Sequence, residues 1–254
     1  MLTCDVKGIP VGEAVRGLFL TQKGKVAADF VLAVRPDCVE LLAPPAARPG
    51  LLDGLARFVV ADDVGIEEVA GPMSTLIGPG AADAPLPEGV LRFPTIRGGL
   101  PAVDVVGEIP GEPTLSAEGL EVLRVEAGEP LLGAEATGDT LPQECGLDHL
   151  VSYTKGCFLG QEPVARLHAR GHTNRGLAGI LLEPGAPVPE RGTAVLDGER
   201  VAGTVTSAVL STTLGRPVAL AILRNESAVP GTPLRLRTVQ GPLSCTAAGL
   251  PFVR

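Results

Sequence analysis

The segment TKGCFLGQEPVARL, residues 154–167, is the stretch on which the interpretation of this chain depends. It places Lys155 two residues before Cys157, although the whole chain of 254 residues contains only four lysines and five cysteines. The residues GQEPVARLHARG, 160–171, predict a helix, because proline is tolerated in a first turn and glycine often follows a last turn. The sequence therefore predicts a cysteine-bearing loop that leads into a helix.

Cys157 is the candidate reactive residue of this loop. Unpaired backbone amides and the helix dipole favour an anion at a helix N-terminus, and Lys155 adds a positive charge. We therefore expect the Cys157 thiol to have a lowered pKa and to act as a nucleophile, a redox-responsive thiol or a soft metal ligand. The alternative is a small buried hydrophobic residue, which describes most cysteines.

Four neighbours of Cys157 are candidate binding residues. Gly156 and Gly160 allow a tight loop or a close approach of the backbone to a ligand. Gln161 and Glu162, at the start of the predicted helix, can cap it or form hydrogen bonds with a heterocycle.

Composition and charge exclude several classes of protein. The net charge of -8 argues against a general nucleic-acid binder, although a basic island between Lys155 and Arg175 could attract an anion. An odd number of widely spaced cysteines, without an export signal, indicates reduced thiols. No apolar run approaches the roughly 20 residues that a membrane helix needs, so we expect a cytoplasmic protein without a membrane partner. Phosphate-loop and dinucleotide-binding glycine patterns are missing.

Two pairs of possible metal ligands are spaced four residues apart. They are His168 with His172, and Cys145 with His149. Gly171 ends the predicted helix between the two histidines of the first pair, so both pairs are interpreted as structural and no metal ligand is assigned.

The N-terminal part, residues 1–115, alternates strand-like runs with turn residues. Strands are predicted at 29–34, 38–43, 56–69, 73–78 and 101–106, a helix at 49–58, and loops or sheet edges at 87–101. Strands with an intervening helix indicate an α+β layer.

A helical middle segment, residues 116–175, and a β-rich part, residues 176–254, follow. The first helix begins after a Ser116 cap, carries Leu120, Leu123 and Ala127 on one face, and stops at Gly128. A second short helix is predicted at 141–153. The short strands after residue 176 have the spacing of a small antiparallel barrel.

The stretch KGCFLGQEPVAR, residues 155–166, resembles the Lys-Gly-Cys-[Tyr/Phe]-x-Gly-Gln-Glu signature of the YgfZ family, folate-binding proteins of iron–sulfur cluster assembly and repair. Similarity continues in LTQKGKVAADFVL (20–32), LRVEAGEPLLGAE (123–135), LPQECGL (141–147) and the barrel run 201–224. That family shares its fold with the T-protein of the glycine cleavage system, a tetrahydrofolate-dependent aminomethyltransferase.

The resemblance implies an α+β, T-protein-like three-part body around a folate-sized channel, with a C-terminal antiparallel β-barrel. It implies catalytic roles for Cys157 and Lys155, with Lys155 holding the thiolate. The residues implied in tetrahydrofolate binding are Leu120, Arg124, Glu126, Glu144, Gly156, Phe158, Gly160, Gln161, Glu162 and Arg166. T-proteins usually carry an arginine in place of Leu120, and family members carry a further strand and helix before the segment with which this chain begins.

The function that the resemblance implies is that of a tetrahydrofolate-binding accessory protein for assembly or repair of iron–sulfur enzymes, including tRNA-modifying ones. Its expected partners are folate and iron–sulfur client or assembly proteins, without direct binding of nucleic acid. One alternative is a folate-dependent aminomethyl or methyl transferase that uses Glu126 or Glu144. The other is a folate-independent scaffold.

Overall fold

The computed structural model describes residues 1–59, 63–69 and 71–253, which form two compact units. The first unit contains Met1–Glu112 and His149–Pro163, and the second contains Pro113–Asp148 and Val164–Arg254. The three-part division at residues 115 and 175 stays a prediction. Among the described residues, no helix has the length and apolar character needed to cross a membrane.

The first unit contains two three-stranded antiparallel sheets and a short helix. One sheet has the order β1-β2-β3 and the other β4-β6-β5. Their strands are β1 (Ala14–Leu20), β2 (Val26–Val34), β3 (Val39–Leu42), β4 (Met73–Ile77), β5 (Leu91–Arg97) and β6 (Leu100–Val106). The helical elements are a 3-10 turn at Pro45–Ala47 and helix α1 (Arg48–Ala56).

Most of the strands expected in this unit are present. The predicted strand at 56–69 is wrong in its described part, because residues 63–69 form no strand; residues 60–62 lie outside the described residues. The region 87–101 contributes β5, a sheet-edge strand that accommodates Pro94, since an edge strand can lose one amide donor.

The second unit is a closed six-stranded barrel with a helix packed on it. The strands follow the order β10-β7-β12-β11-β8-β9. They are β7 (Arg175–Leu182), β8 (Ala194–Asp197), β9 (Arg200–Ser211), β10 (Arg216–Arg224), β11 (Pro233–Thr238) and β12 (Gly241–Ala248). Inward-facing Ile180, Leu182 and Leu236 are fully buried in its interior. The α+β class with a C-terminal antiparallel barrel is therefore confirmed.

Helix α2 (Ala117–Glu126) begins at the predicted cap, where the Ser116 hydroxyl accepts a hydrogen bond from the Gly119 amide at 3.1 Å. The expected apolar face was wrong. Leu120 is exposed, whereas Val125 is fully buried and packs with Val122 against barrel residues. The helix instead buries two charged side chains, Arg124 and Glu126, because the barrel supplies their hydrogen-bond partners.

The third predicted helix is α3 (Gln161–Arg170), which begins one residue later than expected. The second, at 141–153, was wrong: that segment consists of turns and one 3-10 turn at Asp148–Leu150. Gly146 adopts a φ of 78°, which a right-handed helix does not accommodate.

Candidate functional site

Cys157 lies in the loop that precedes α3, and its residue is exposed with a free thiol. Its neighbour Phe158 is buried, so the exposed cysteine is followed directly by a buried apolar residue. A Cβ added at Gly156 would meet no heavy atom within 4 Å, so the loop has open space at the residue before the cysteine. The lowered thiol pKa expected from the sequence stays a prediction.

Lys155 does not direct its described hydrogen bonds to the Cys157 thiol. Its ammonium donates to two backbone carbonyls of the N-terminal segment, at 2.7 Å to Leu2 and 2.9 Å to Cys4. Burial raises the pKa of the neighbouring Cys4 thiol, and the charge of Lys155 partly opposes that shift. The lysine therefore joins the loop to the start of the chain.

Gly160 gives the loop its close approach to protein backbone. Its φ is 76°, and a Cβ at this position would lie 2.3 Å from the Thr21 carbonyl oxygen and 2.8 Å from the Gly24 Cα. Thr21 and Gly24 belong to the β1–β2 turn, which is closed by a hydrogen bond from the Gly24 amide to the Thr21 carbonyl at 2.9 Å. The glycine is thus required by the packing of the loop on this hairpin.

The remaining motif residues lie at the start of α3. Gln161 is half-buried, and its backbone amide donates to the Phe158 backbone carbonyl at 3.3 Å. Glu162 and Arg166 are exposed on the helix. Their expected contacts with folate stay predictions.

In the second unit, Glu144 forms an ion pair with Arg175. Arg175 Nε lies 2.9 Å from Glu144 Oε1, and the other carboxylate oxygen accepts from the Leu141 amide at 2.8 Å. The Glu144 side chain is only 11% exposed, against 44% for that of Arg175. The hydrogen bond that Arg175 donates to Glu144 raises the pKa of Arg175. This pair is a polar site with one buried carboxylate and one accessible guanidinium.

Arg124 is fully engaged by protein acceptors. Its Nε and Nη2 donate to the Glu121 carboxylate, at 2.8 and 2.6 Å, and Nη2 also donates to the Ser207 hydroxyl at 2.6 Å. Its Nη1 donates to the Glu129 carbonyl at 2.6 Å and to the Glu135 carboxylate at 3.1 Å. A guanidinium has five N–H donors, so this set leaves none for a ligand. Burial lowers the pKa of Arg124, but the bonds to Glu121 and Glu135 outweigh it and raise the pKa overall.

Glu126 is also held by protein groups. Its carboxylate accepts from the Ser211 hydroxyl at 2.5 Å, from the Thr213 hydroxyl at 2.9 Å and from the Thr213 amide at 3.2 Å. The residue is 5% exposed. Of the predicted folate residues on α2, Leu120 is exposed, while Arg124 and Glu126 join the helix to the barrel.

Comparison with known proteins places this geometry in context. Residues 175–254 match the family described as the glycine cleavage T-protein C-terminal barrel domain. The structure is similar to that of the glycine cleavage system aminomethyltransferase T from Bartonella henselae, with a TM-score of 0.81 over 99% of this chain and 79% of that one, at 19% identity. The chain has a T-protein-like fold.

Two curated relatives differ in name. The chain is 39% identical over 140 residues to an aminomethyltransferase of Streptomyces avermitilis, a match to 53% of this chain and 37% of that protein. It is 30% identical over 202 residues to the tRNA-modifying protein YgfZ of Colwellia psychrerythraea, a match to 69% of this chain and 62% of that protein. The chain thus spans less than two thirds of the length of each of these two relatives. A T-protein-like fold is compatible with similarity to both of them.

Within the T-protein-like fold, sequence reasoning missed two features of the site. Thr3, wholly buried beneath the loop, had no sequence signal because a lone threonine carries none. Arg175 was noted only as the end of the basic island. The LPQECGL segment that contains Glu144 indicated a site, but the sequence did not show that Arg175 pairs with it.

Proposed function

We propose that this chain is a tetrahydrofolate-binding accessory protein for the assembly or repair of iron–sulfur enzymes, including tRNA-modifying ones. The observation that carries the proposal is the exposed Cys157 thiol in the Lys-Gly-Cys loop of a chain that matches the tRNA-modifying protein YgfZ of Colwellia over 202 residues. The T-protein-like fold is consistent with it, because the named relatives include aminomethyltransferases.

Cys157 would supply the chemistry toward an iron–sulfur client or assembly protein. An exposed thiol can reach a partner surface, and its thiolate form is a soft ligand and a good nucleophile. The loop is held on both sides of the cysteine, by Lys155 before it and by Gly160 after it. A fixed and accessible thiol suits repeated contact with a cluster or a partner thiol.

For folate, the described residues fit in part. The Arg175 side chain is 44% exposed, and its guanidinium suits a carboxylate of the glutamate tail, while the Glu144 carboxylate holds this guanidinium and also accepts from the Leu141 amide. Arg124 and Glu126 do not fit, because protein groups already occupy them. Bound tetrahydrofolate would supply a one-carbon carrier or a reductant. Arg175 would bind its glutamate tail, and Glu144 would hold Arg175 in place for that contact.

A second candidate is a folate-dependent aminomethyl or methyl transferase, favoured by the relatives that carry the name aminomethyltransferase. Such an enzyme needs a carboxylate near the reacting nitrogen. Of the two carboxylates considered from the sequence, Glu126 is enclosed by Ser211 and Thr213, which leaves Glu144. Turnover of an aminomethylated carrier protein, abolished by Glu144→Gln, would favour this candidate over the accessory role.

The proposal is tested by replacing Cys157 in cells that depend on this protein for iron–sulfur enzyme activity. Cys157→Ser should lower the activity of a tRNA-modifying iron–sulfur enzyme to the level of a deletion strain. Cys38→Ser is the matched control, because Cys38 is also exposed and free, and it should retain full activity. Equal activity of both variants at equal protein levels would remove Cys157 from the function.

Folate binding is tested separately by calorimetry with tetrahydrofolate under reducing, anaerobic conditions. We expect saturable binding that Glu144→Gln weakens. A chain that binds no folate but forms a stable complex with a client protein would instead support the scaffold alternative.

A further inference from the structure

The N-terminal segment, residues 2–4, is hydrogen-bonded to the loop that carries Cys157. The carbonyls of Leu2 and Cys4 both accept from the Lys155 ammonium, at 2.7 and 2.9 Å. The carbonyl between them, that of Thr3, accepts from the Ser152 amide at 2.9 Å. Three consecutive carbonyls thus receive donors from residues 152 and 155. The two segments are far apart in sequence, so this contact exists only in the folded chain.

Thr3 extends this connection to the sheet below. Its hydroxyl accepts from the Leu18 amide at 2.8 Å and donates to the Leu150 carbonyl at 2.8 Å, while its own amide donates to the Leu18 carbonyl at 3.0 Å. The residue is 0% exposed. Residues 2–4 therefore lie between strand β1 and the 150–155 segment, and Thr3 contacts both.

We propose that residues 2–4, connected through Lys155, are a positioning element for Cys157. Lys155 acts by fixing the loop rather than by lending its charge to the thiol. The inference goes beyond the proposed function, because it needs neither folate nor a cluster.

The physical reason lies in where the ammonium is directed. Carbonyl dipoles of Leu2 and Cys4 already receive two of its N–H groups, and each bond fixes the side chain in one geometry. Without Lys155, the Leu2 and Cys4 carbonyls would lose these partners. The loop would keep its contact at Gly160 and the bond from the Ser152 amide to the Thr3 carbonyl, but would lose the two bonds nearest to Cys157. A change at Thr3 should therefore affect Cys157 in the same way as a change at Lys155.

The experiment measures the reaction of Cys157 with two reagents, neutral iodoacetamide and an anionic aromatic disulfide, in the full chain carrying Cys38→Ser. Mass spectrometry of the Cys157 peptide separates its rate from that of the buried cysteines. Both rates are taken on the alkaline plateau of their pH profiles, so that differences in the ionised fraction of the thiol do not enter. A charge effect of Lys155 would there favour the anionic reagent, so Lys155→Met would lower the ratio of the rate with the anionic disulfide to the rate with iodoacetamide. A positioning effect changes both rates together and leaves the ratio within twofold.

We expect Lys155→Met and Thr3→Val each to change both rates at least threefold in the same direction, although Thr3→Val removes no charge. Lys7→Met, which removes an exposed lysine, should change neither rate. Lys155→Arg, which keeps charge and N–H donors, should lie closer to the unchanged protein than Lys155→Met. A lowered rate ratio for Lys155→Met, or unchanged rates for Thr3→Val, would overturn the proposal.

If the Lys155→Met variant does not fold, a comparison of two Thr3 variants still tests the proposal. Thr3→Ser keeps the hydroxyl that Thr3→Val removes, so the proposal requires unchanged rates in the first and changed rates in the second. Equal rates in these two variants would also overturn it.

Discussion

Arg124 and Glu135 form a buried ion pair, with Arg124 Nη1 3.1 Å from Glu135 Oε2 and the Glu135 side chain fully enclosed. Ser207 of β9 bonds to both: its hydroxyl accepts from Arg124 Nη2 at 2.6 Å and donates to Glu135 Oε1 at 2.7 Å. The Leu131 amide donates to the same carboxylate at 3.0 Å. This closed network connects α2, the turn after it and the barrel wall.

Replacing Arg124 should destabilise the protein strongly. Arg124→Met leaves the Glu135 carboxylate buried without its cation, and the expected loss is about 3–5 kcal/mol in the free energy of unfolding. Urea unfolding measures it. Arg200→Met is the control, because the Arg200–Glu226 pair has side chains 59% and 61% exposed and should cost less than about 1 kcal/mol. Equal effects of the two variants would contradict the assigned role of the network.

The two carboxylates that the sequence offered as folate residues should separate in a binding experiment. Glu126→Gln should lower the free energy of unfolding by about 1–3 kcal/mol, because Ser211 and Thr213 lose a charged acceptor. The dissociation constant of the Glu126→Gln variant for tetrahydrofolate should stay within about twofold of that of the unchanged protein. Glu144→Gln should raise that constant about tenfold or more, since a tenfold change corresponds to about 1.4 kcal/mol. Calorimetry and urea unfolding of both variants provide the measurements.

The reverse pattern, with folate affinity lost in Glu126→Gln and kept in Glu144→Gln, would show that the ligand displaces the Ser211 and Thr213 contacts. The Glu144–Arg175 pair would then have a structural role.

Local signals predicted the parts of the fold that depend on local chemistry. The Ser116 cap and the helix at α3 follow from capping residues and proline position, and most of strand β2 follows from its run of β-forming residues. The buried face of α2 could not be predicted in this way. Arg124 and Glu126 are charged, and their burial depends in part on Ser207 and Ser211, which lie more than 80 positions away in the sequence.

The same limit applies to the candidate site. The sequence identified Lys155 and Cys157 as a pair because they lie two positions apart in the motif, and the family resemblance implied that the lysine holds the thiolate. The actual acceptors of the lysine are carbonyls of Leu2 and Cys4, about 150 positions earlier. Backbone carbonyls exist at every residue, so no sequence pattern could indicate these two.

Gly160 and Gly156 should respond differently to the same substitution. Gly160→Ala adds a Cβ at 2.3 Å from the Thr21 carbonyl in a backbone conformation with φ of 76°, and should cost about 3 kcal/mol from strain and overlap together. Gly156→Ala adds a Cβ in open space and should change the free energy of unfolding by less than about 0.5 kcal/mol. Urea unfolding of the two variants compares them directly. A small effect at Gly160 would mean that the loop moves away from the β1–β2 turn without cost.

The thiol of Cys245 should make stability depend on pH at the alkaline end. Burial raises its pKa from 9.0 to about 12, so between these values the unfolded chain ionises this group and the folded chain does not. The contribution of the neutral thiol is therefore complete below pH 9 and is lost as the pH rises toward 12. From pH 9 to pH 11 the loss should be about 2 kcal/mol, by proton linkage. Cys245→Ala should lack this component, so the difference in unfolding free energy between it and the unchanged protein should narrow by that amount. Cys38→Ala, at an exposed position, serves as the control and should show no comparable narrowing. A constant difference between Cys245→Ala and the unchanged protein across this range would show that the barrel opens enough to ionise the thiol while folded.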